Sequence, residues 1–234
     1  MAKAKSPFLE FVRLIVDGEV DAVSKLLAAD PALARARAEI GASRQEAEAF
    51  FFTRIAHYLY AGDTALHMAA AAFSRPIAKL LVAHGADHRV TNRRGAQPLH
   101  YAADANHRDP KAQAETIAYL LSIGADPDVV DKSGVTPLHR AVRKRSLAAV
   151  RALLDGGANP RAANKIGSTP LHLAVQTTGA GGSGSEHARE QQAGIIALLL
   201  ERGAKSTDKD GRGKQVRQAA TNERVRLLLA GGAA

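Results

Sequence analysis

The sequence predicts an all-α-dominated solenoid of stacked helix–turn–helix units with β-turn tips, and three observations carry that prediction. The first is a recurring segment: Asp63-Thr-Ala-Leu-His67, Gln97-Pro-Leu-His100, Val135-Thr-Pro-Leu-His-Arg-Ala141 and Thr169-Pro-Leu-His172. Its histidines stand 33, 39 and 33 residues apart. The second is an independent ruler of glycines. Gly85, Gly124, Gly157 and Gly203 are followed ten residues later by Gly95, Gly134, Gly167 and Gly213, and Asn92, Asp131, Asn164 and Asp210 precede the latter by three. The third is composition. Apolar residues make up 46% of the 234-residue chain but aromatics only 4%, so Ala and Leu must fill the core, which suits close-packed helices.

A T-P-L-H-x-A core at a period near 33 resembles the ankyrin-repeat family. The resemblance is specific over 62–213 and looser outside it. It implies a binding scaffold whose motif histidine hydrogen-bonds backbone between neighbouring repeats. It also implies that a partner meets the turn tips and the exposed end of each first helix, on the concave face.

Taken in order, residues 7–33 read as two short helices. Phe8, Phe11, Leu14 and Ile15 share one helical face, as do Val20, Val23, Leu26 and Leu27. Asp17-Gly18-Glu19 is the turn between them, and Pro31 stops the second helix. An N-terminal capping repeat is expected over 1–33. Residues 34–61 break the pattern and are expected to be an aromatic-rich helical insertion. Ala49-Phe-Phe-Phe-Thr-Arg-Ile-Ala-His-Tyr-Leu-Tyr60 holds half of the chain's ten aromatic residues, and so dense a cluster either packs inward or grips a partner. Four recognisable repeats follow to 213, and 214–234 is a degenerate C-terminal cap, all in one domain.

Each repeat has a mechanical reading. Thr64, Thr136 and Thr169 can cap a helix start, with Pro98, Pro137 and Pro170 near the first helical position of their helices. Leu66, Leu99, Leu138 and Leu171 face the core, joined from the second helix by Leu81, Leu120, Leu153 and Leu199. The glycine that ends each second helix is suited to the left-handed conformation. Asx at the first position of a β-turn and Gly at the fourth is the type I preference. Two repeats carry insertions between their helices, around Asn106–Lys111 and over 178–190, where a longer loop costs little.

Chemistry is sparse. There is no cysteine, hence no disulfide and no thiolate metal site. The motif histidines recur at helix spacing, about 8–10 Å, too far apart to share a zinc ion. The Gly-rich run 179–184 lacks the Lys-Ser/Thr ending of a phosphate loop, and His187-Ala-Arg-Glu190 is no zincin motif. No catalytic, metal or cofactor site is expected. With no secretory or membrane-spanning stretch, the expectation is a cytoplasmic monomer. The Ala-, Arg- and Gly-rich composition fits a GC-rich genome, bacterial ones included.

Net charge is +9, from 32 Lys and Arg against 23 Asp and Glu. Carried over from the resemblance, the tip positions are Arg93 and Arg94, Lys132 and Ser133, Lys165 and Ile166, and Gly211 and Arg212. The helix ends add Ala71, Ala72, Asp104, Ala105, Arg143, Lys144, Gln176 and Thr177. Cations dominate this set. The candidate contacts are therefore Arg93, Arg94, Lys132, Ser133, Arg143, Lys144, Lys165, Ile166, Gln176 and Arg212, and an acidic protein is the partner such a surface steers. Three other readings stay open. The face can be plain solvated charge, or it can bind nucleic acid, although these positions lack aromatics to stack bases. The chain can also be an accessory or inhibitory subunit of an enzyme, gripping through 49–60.

Overall fold

Helices pair in the order that the two rulers dictate. The computed structural model describes residues 6–43, 45–104, 109–176, 184–220 and 222–231, in two units that divide after Ala125. The first unit begins with α1 (Pro7–Asp17) and α2 (Val20–Ala29), then a 3₁₀ turn at Pro31–Ala34. Beyond residue 60 come α3 (Ala65–Ala71), α4 (Arg75–Ala83), α5 (Pro98–Ala103) and α6 (Pro110–Ser122). First helices form one file, α1–α3–α5, and second helices another, α2–α4–α6. The second unit repeats the plan with α7 (Pro137–Arg143), α8 (Leu147–Asp155), α9 (Pro170–Ala174), α10 (Glu186–Glu201), α11 (Val216–Ala219) and α12 (Glu223–Gly231). There α9 touches α7 and α11, and α10 touches α8 and α12.

This stacking explains the composition. Every residue of α3 is buried, Ala65 through Ala71, and so is every residue of α5. A helix covered on all sides cannot carry bulk on each face, so alanine fills it. Leu66, Leu81, Leu120, Leu138, Leu153, Leu171 and Leu199 are fully buried. Their removal costs about 2–5 kcal/mol each on general grounds.

Helix ends obey the glycine ruler. Gly85 has φ 90°, its N–H reaches the Val82 carbonyl, and the next N–H, of Ala86, reaches back to Leu81. That is a Schellman closure. Ala125, Ala158 and Ala204 bond Leu120, Leu153 and Leu199 in the same way. The buried leucine therefore does two jobs, filling the core and receiving the bond that ends its helix.

The insertion departs from expectation. Residues 48–58 form no α-helix: a 3₁₀ turn at Glu48–Phe50 leads into the antiparallel strands β1 (Phe51–Phe52) and β2 (His57–Tyr58), which a second 3₁₀ turn at Thr53–Ile55 joins. A run of aromatic and β-branched residues favours extended backbone over helix. Phe50, Ile55 and Leu59 turn inward and are buried, whereas Phe51 stays 38% exposed. Upstream, residues 38–42 lie against the 59–63 stretch: Ala38 N–H bonds Asp63 O, Gly62 N–H bonds Ala38 O, and Ala42 N–H bonds Leu59 O. Gly41 is essential to that approach, because a Cβ there would fall 2.5 Å from Ala61 N.

Both between-helix insertions fall partly outside the described residues, at 105–108 and 177–183. Their described flanks show where much of the extra chain goes. α6 has 13 residues and α10 has 16, against nine in α4 and α8. Extra residues that continue the helix keep their backbone hydrogen bonds internal. Asp109 caps α6 through Ala112 N–H at 2.8 Å, and Ser185 caps α10 through Ala188 N–H at 3.2 Å. Among the described residues, no helix is long and apolar enough to cross a membrane.

Candidate partner-binding site

Each tip is built by one Asx side chain. Asn92 Oδ1 accepts from the N–H groups of Arg94 and Ala96, at 2.8 and 3.1 Å. Asp131 does the same for Ser133 and Val135, Asn164 for Ile166 and Ser168, and Asp210 for Arg212 and Lys214. The turn closes with Gly95, Gly134, Gly167 and Gly213 N–H bonding the Asx carbonyl. So the side chains between Asx and Gly are forced outward.

Histidine fixes the base of the next tip. His67 Nδ1 accepts the Thr64 N–H at 3.1 Å, while its Nε2–H donates to Ala96 O at 3.0 Å. His139 spans Thr136 and Ser168 O, and His172 spans Thr169 and Lys214 O. In each case the carbonyl reached also receives the N–H of the Asx that starts the tip. Burial pushes the His67 and His139 pKa values below the ordinary 6.5, so both rings are neutral at pH 7. His100 likewise caps its own helix through Gln97 N–H. Among the described residues, no group of three His, Cys, Asp or Glu is arranged to hold a metal ion.

Tips are also tied to one another. Arg93 N–H bonds Ala61 O in the first unit. In the second, Lys165 N–H bonds Ser133 O and Gly211 N–H bonds Ile166 O. The approach is so close that a Cβ on Gly167 would sit 2.2 Å from Gly211 N. These ties set the spacing of the exposed side chains within each unit.

All ten candidate contact residues are exposed. In the second unit Lys132, Ser133, Lys165, Ile166 and Arg212 occupy the tips, with Arg143, Lys144 and Gln176 at the helix ends. Ile166 is 72% exposed, so a large apolar side chain stands in solvent at this tip. Other cations close by in sequence are already engaged. Arg161 forms a two-pronged pair with Asp208 at 2.7 and 3.1 Å. Arg145, in the left-handed conformation at φ 57°, reaches Gln176 O and Ala188 O across the stem of the long insertion. In the first unit Arg93 donates to Ala42 O, and both Arg93 and Arg94 lie over the Tyr60 ring, at 5.5 and 5.0 Å.

Sequence reasoning missed two features here. In two repeats the residue after the motif histidine reaches the Asx of its own tip. Tyr101 OH bonds the buried Asp63 carboxylate at 2.8 Å and receives Asn92 Nδ2–H at 2.9 Å, while Arg140 pairs with Asp131 at 3.0 Å. The spacing of nine from Asx to that residue was visible, but only the fold shows that it closes a loop. The other is Tyr60, which no motif marks as a partner for the two arginines.

Paired helices, Asx–Gly tips and histidine cross-ties define a repeat protein that presents exposed turns at fixed spacing. The chain belongs to the ankyrin-repeat family, matching the description "Ankyrin repeats (3 copies)" over residues 9–110 and again over 111–210. Ankyrin repeats are in general protein–protein interaction modules. A search of curated proteins returns no match to the chain.

Proposed function

We propose that this protein is a non-catalytic scaffold that binds an acidic protein segment through the face carrying the turn tips, the concave side in the family. One observation carries the reading most directly. Lys132, Lys165 and Arg212 stand exposed on tips whose backbones are locked, around the 72%-exposed Ile166. Locked backbones spare the tips an ordering cost when they meet a partner, so only the cations' own side chains lose freedom, and an exposed apolar anchor among them supplies the desolvated contact that binding energy concentrates in. Because those charges sit at a surface rim, they act mainly on encounter rate and selectivity. Net charge of +9 adds long-range attraction for an acidic partner.

The test is affinity capture from the source cell with the wild-type chain and with a Lys132→Glu, Lys165→Glu, Arg212→Glu variant. The variant is expected to lose the specifically captured protein while far-UV circular dichroism stays unchanged. Equal capture by the folded variant rejects the tips as the binding surface.

A further inference from the structure

We infer that the insertion and the first unit's tip together form one composite site for a short acidic peptide segment that carries an aromatic or large aliphatic anchor. This rests on the protein-binding reading above and names a site separate from the second unit's tips. Three rings and two guanidiniums line up. Phe51 meets Tyr58 across the strand pair at 4.7 Å between ring centres, and Tyr58 meets Tyr60 at 6.2 Å. Arg93 and Arg94 then lie over Tyr60.

The two ends of this ladder differ in chemistry. At one end two guanidiniums share a single ring, and among the described residues no carboxylate stands within 4.0 Å of either. Like charges held together in this way favour an anion that answers both. At the other end Phe51 lines a groove of about 230 Å³ with Leu9, Val16 and Phe52, rimmed by Arg13, Asp17 and Arg54. Phe51 is 38% exposed, while Leu9 and Val16 beside it are buried, so one aromatic side chain of the lining meets solvent over an apolar floor. Its rim charges are mixed, which suits an uncharged side chain.

Geometry sets the spacing the ligand needs. The ladder steps of 4.7, 6.2 and 5.0 Å limit the span from groove to arginines to what an extended segment covers in at most about five residues, at ~3.3 Å each. The rings favour peptide over single-stranded nucleic acid. They are tilted by 48° and 45° to their neighbours, and the arginines already lie over Tyr60, so they do not offer the open parallel faces that successive bases stack on.

The probes are three labelled synthetic ligands: a peptide of alternating Glu and Phe, one of alternating Glu and Ser, and oligo-dT. Titration by fluorescence anisotropy should show the Glu/Phe peptide binding about tenfold tighter than Glu/Ser, the order expected of one buried aromatic anchor. Phe51→Ser should erase that preference, and Arg94→Gln should weaken both peptides several-fold, with circular dichroism unchanged in each. Neither side chain is buried, so both variants are expected to fold. A preference that survives Phe51→Ser, or an Arg94→Gln variant that binds like wild type, overturns the composite site. Oligo-dT binding tighter than either peptide overturns the peptide assignment. The Lys132, Lys165 and Arg212 reversal leaves this site intact, so failure here and failure of the second unit's tips read out separately.

Discussion

His139 donates from Nε2 to the carbonyl of Ser168 at 2.9 Å, and that carbonyl also receives the N–H of Asn164. A side chain of one repeat thereby holds shut the turn of the next. The same ring accepts the Thr136 N–H on Nδ1, so a proton added to Nδ1 would set donor against donor. The folded pKa lies below the unfolded 6.5 because burial disfavours the cation, and His67 behaves alike. Above the unfolded value both states are neutral and pH has no effect. Below it the unfolded chain takes up protons first, so stability falls as pH drops from about 6.5 toward the folded value. The expected outcome is a Tm that declines between pH 7 and 5. His139→Gln should flatten that decline, since Gln218 already shows glutamine making the same cap to Gln215 N–H at 2.9 Å. An equally steep decline in the variant would exclude His139 as a contributor.

The glycine tips divide into crowded and open ones. Gly167 and Gly213 both have φ 77°, so each pays the left-handed penalty when replaced by alanine, about 1–2 kcal/mol. At Gly213 nothing lies within 4 Å of the added methyl, whereas at Gly167 it would strike Gly211 backbone. Gly167→Ala is therefore expected to lower the urea midpoint clearly more than Gly213→Ala. Equal shifts would show that the tip-to-tip contact contributes little.

Asp131 and Arg140 form a nearly buried pair, 12% and 9% exposed. Burial raises the Asp131 pKa, but the Arg140 hydrogen bond and the N–H groups of Ser133 and Val135 outweigh it and leave it below the ordinary value. Its contribution is complete above the unfolded carboxylate range and disappears as pH falls through the lowered folded value. Asp131→Asn keeps the turn, as Asn92 and Asn164 show, but removes the charge that Arg140 meets at 3.0 Å; a loss of about 1.5–3 kcal/mol is expected in chemical denaturation. Arg140→Leu, the residue type that Leu173 supplies in the next repeat, should cost much less. The reverse order of the two losses would contradict the desolvation argument.

Binding should carry an ionic-strength signature. If Lys132, Lys165 and Arg212 steer the partner, raising salt from about 0.05 to 0.5 M shortens the screening length severalfold. The association rate should then fall by about tenfold or more while the dissociation rate changes little. Stopped-flow or surface-based kinetics with the captured partner would measure both. A flat association rate would leave Ile166 and the backbone as the source of affinity.

The sequence by itself determined the repeat. Periods of 33 in the histidines and ten in the glycines are local instructions, because a cap, a β-turn and a left-handed helix stop are each decided by a few neighbouring residues. Thus the Asx–Gly tips and the exposed positions from Arg93 to Arg212 were legible, and the histidine bonds were implied by the family resemblance that the motif carries. The aromatic insertion was not. Its extended backbone, the seating of Phe50 inside and Phe51 outside, and the meeting of Tyr60 with Arg93 and Arg94 depend on contacts between residues some 30 to 50 apart. No periodicity encodes such a contact, since it arises only when a non-repeating segment finds a surface that the repeats have already built.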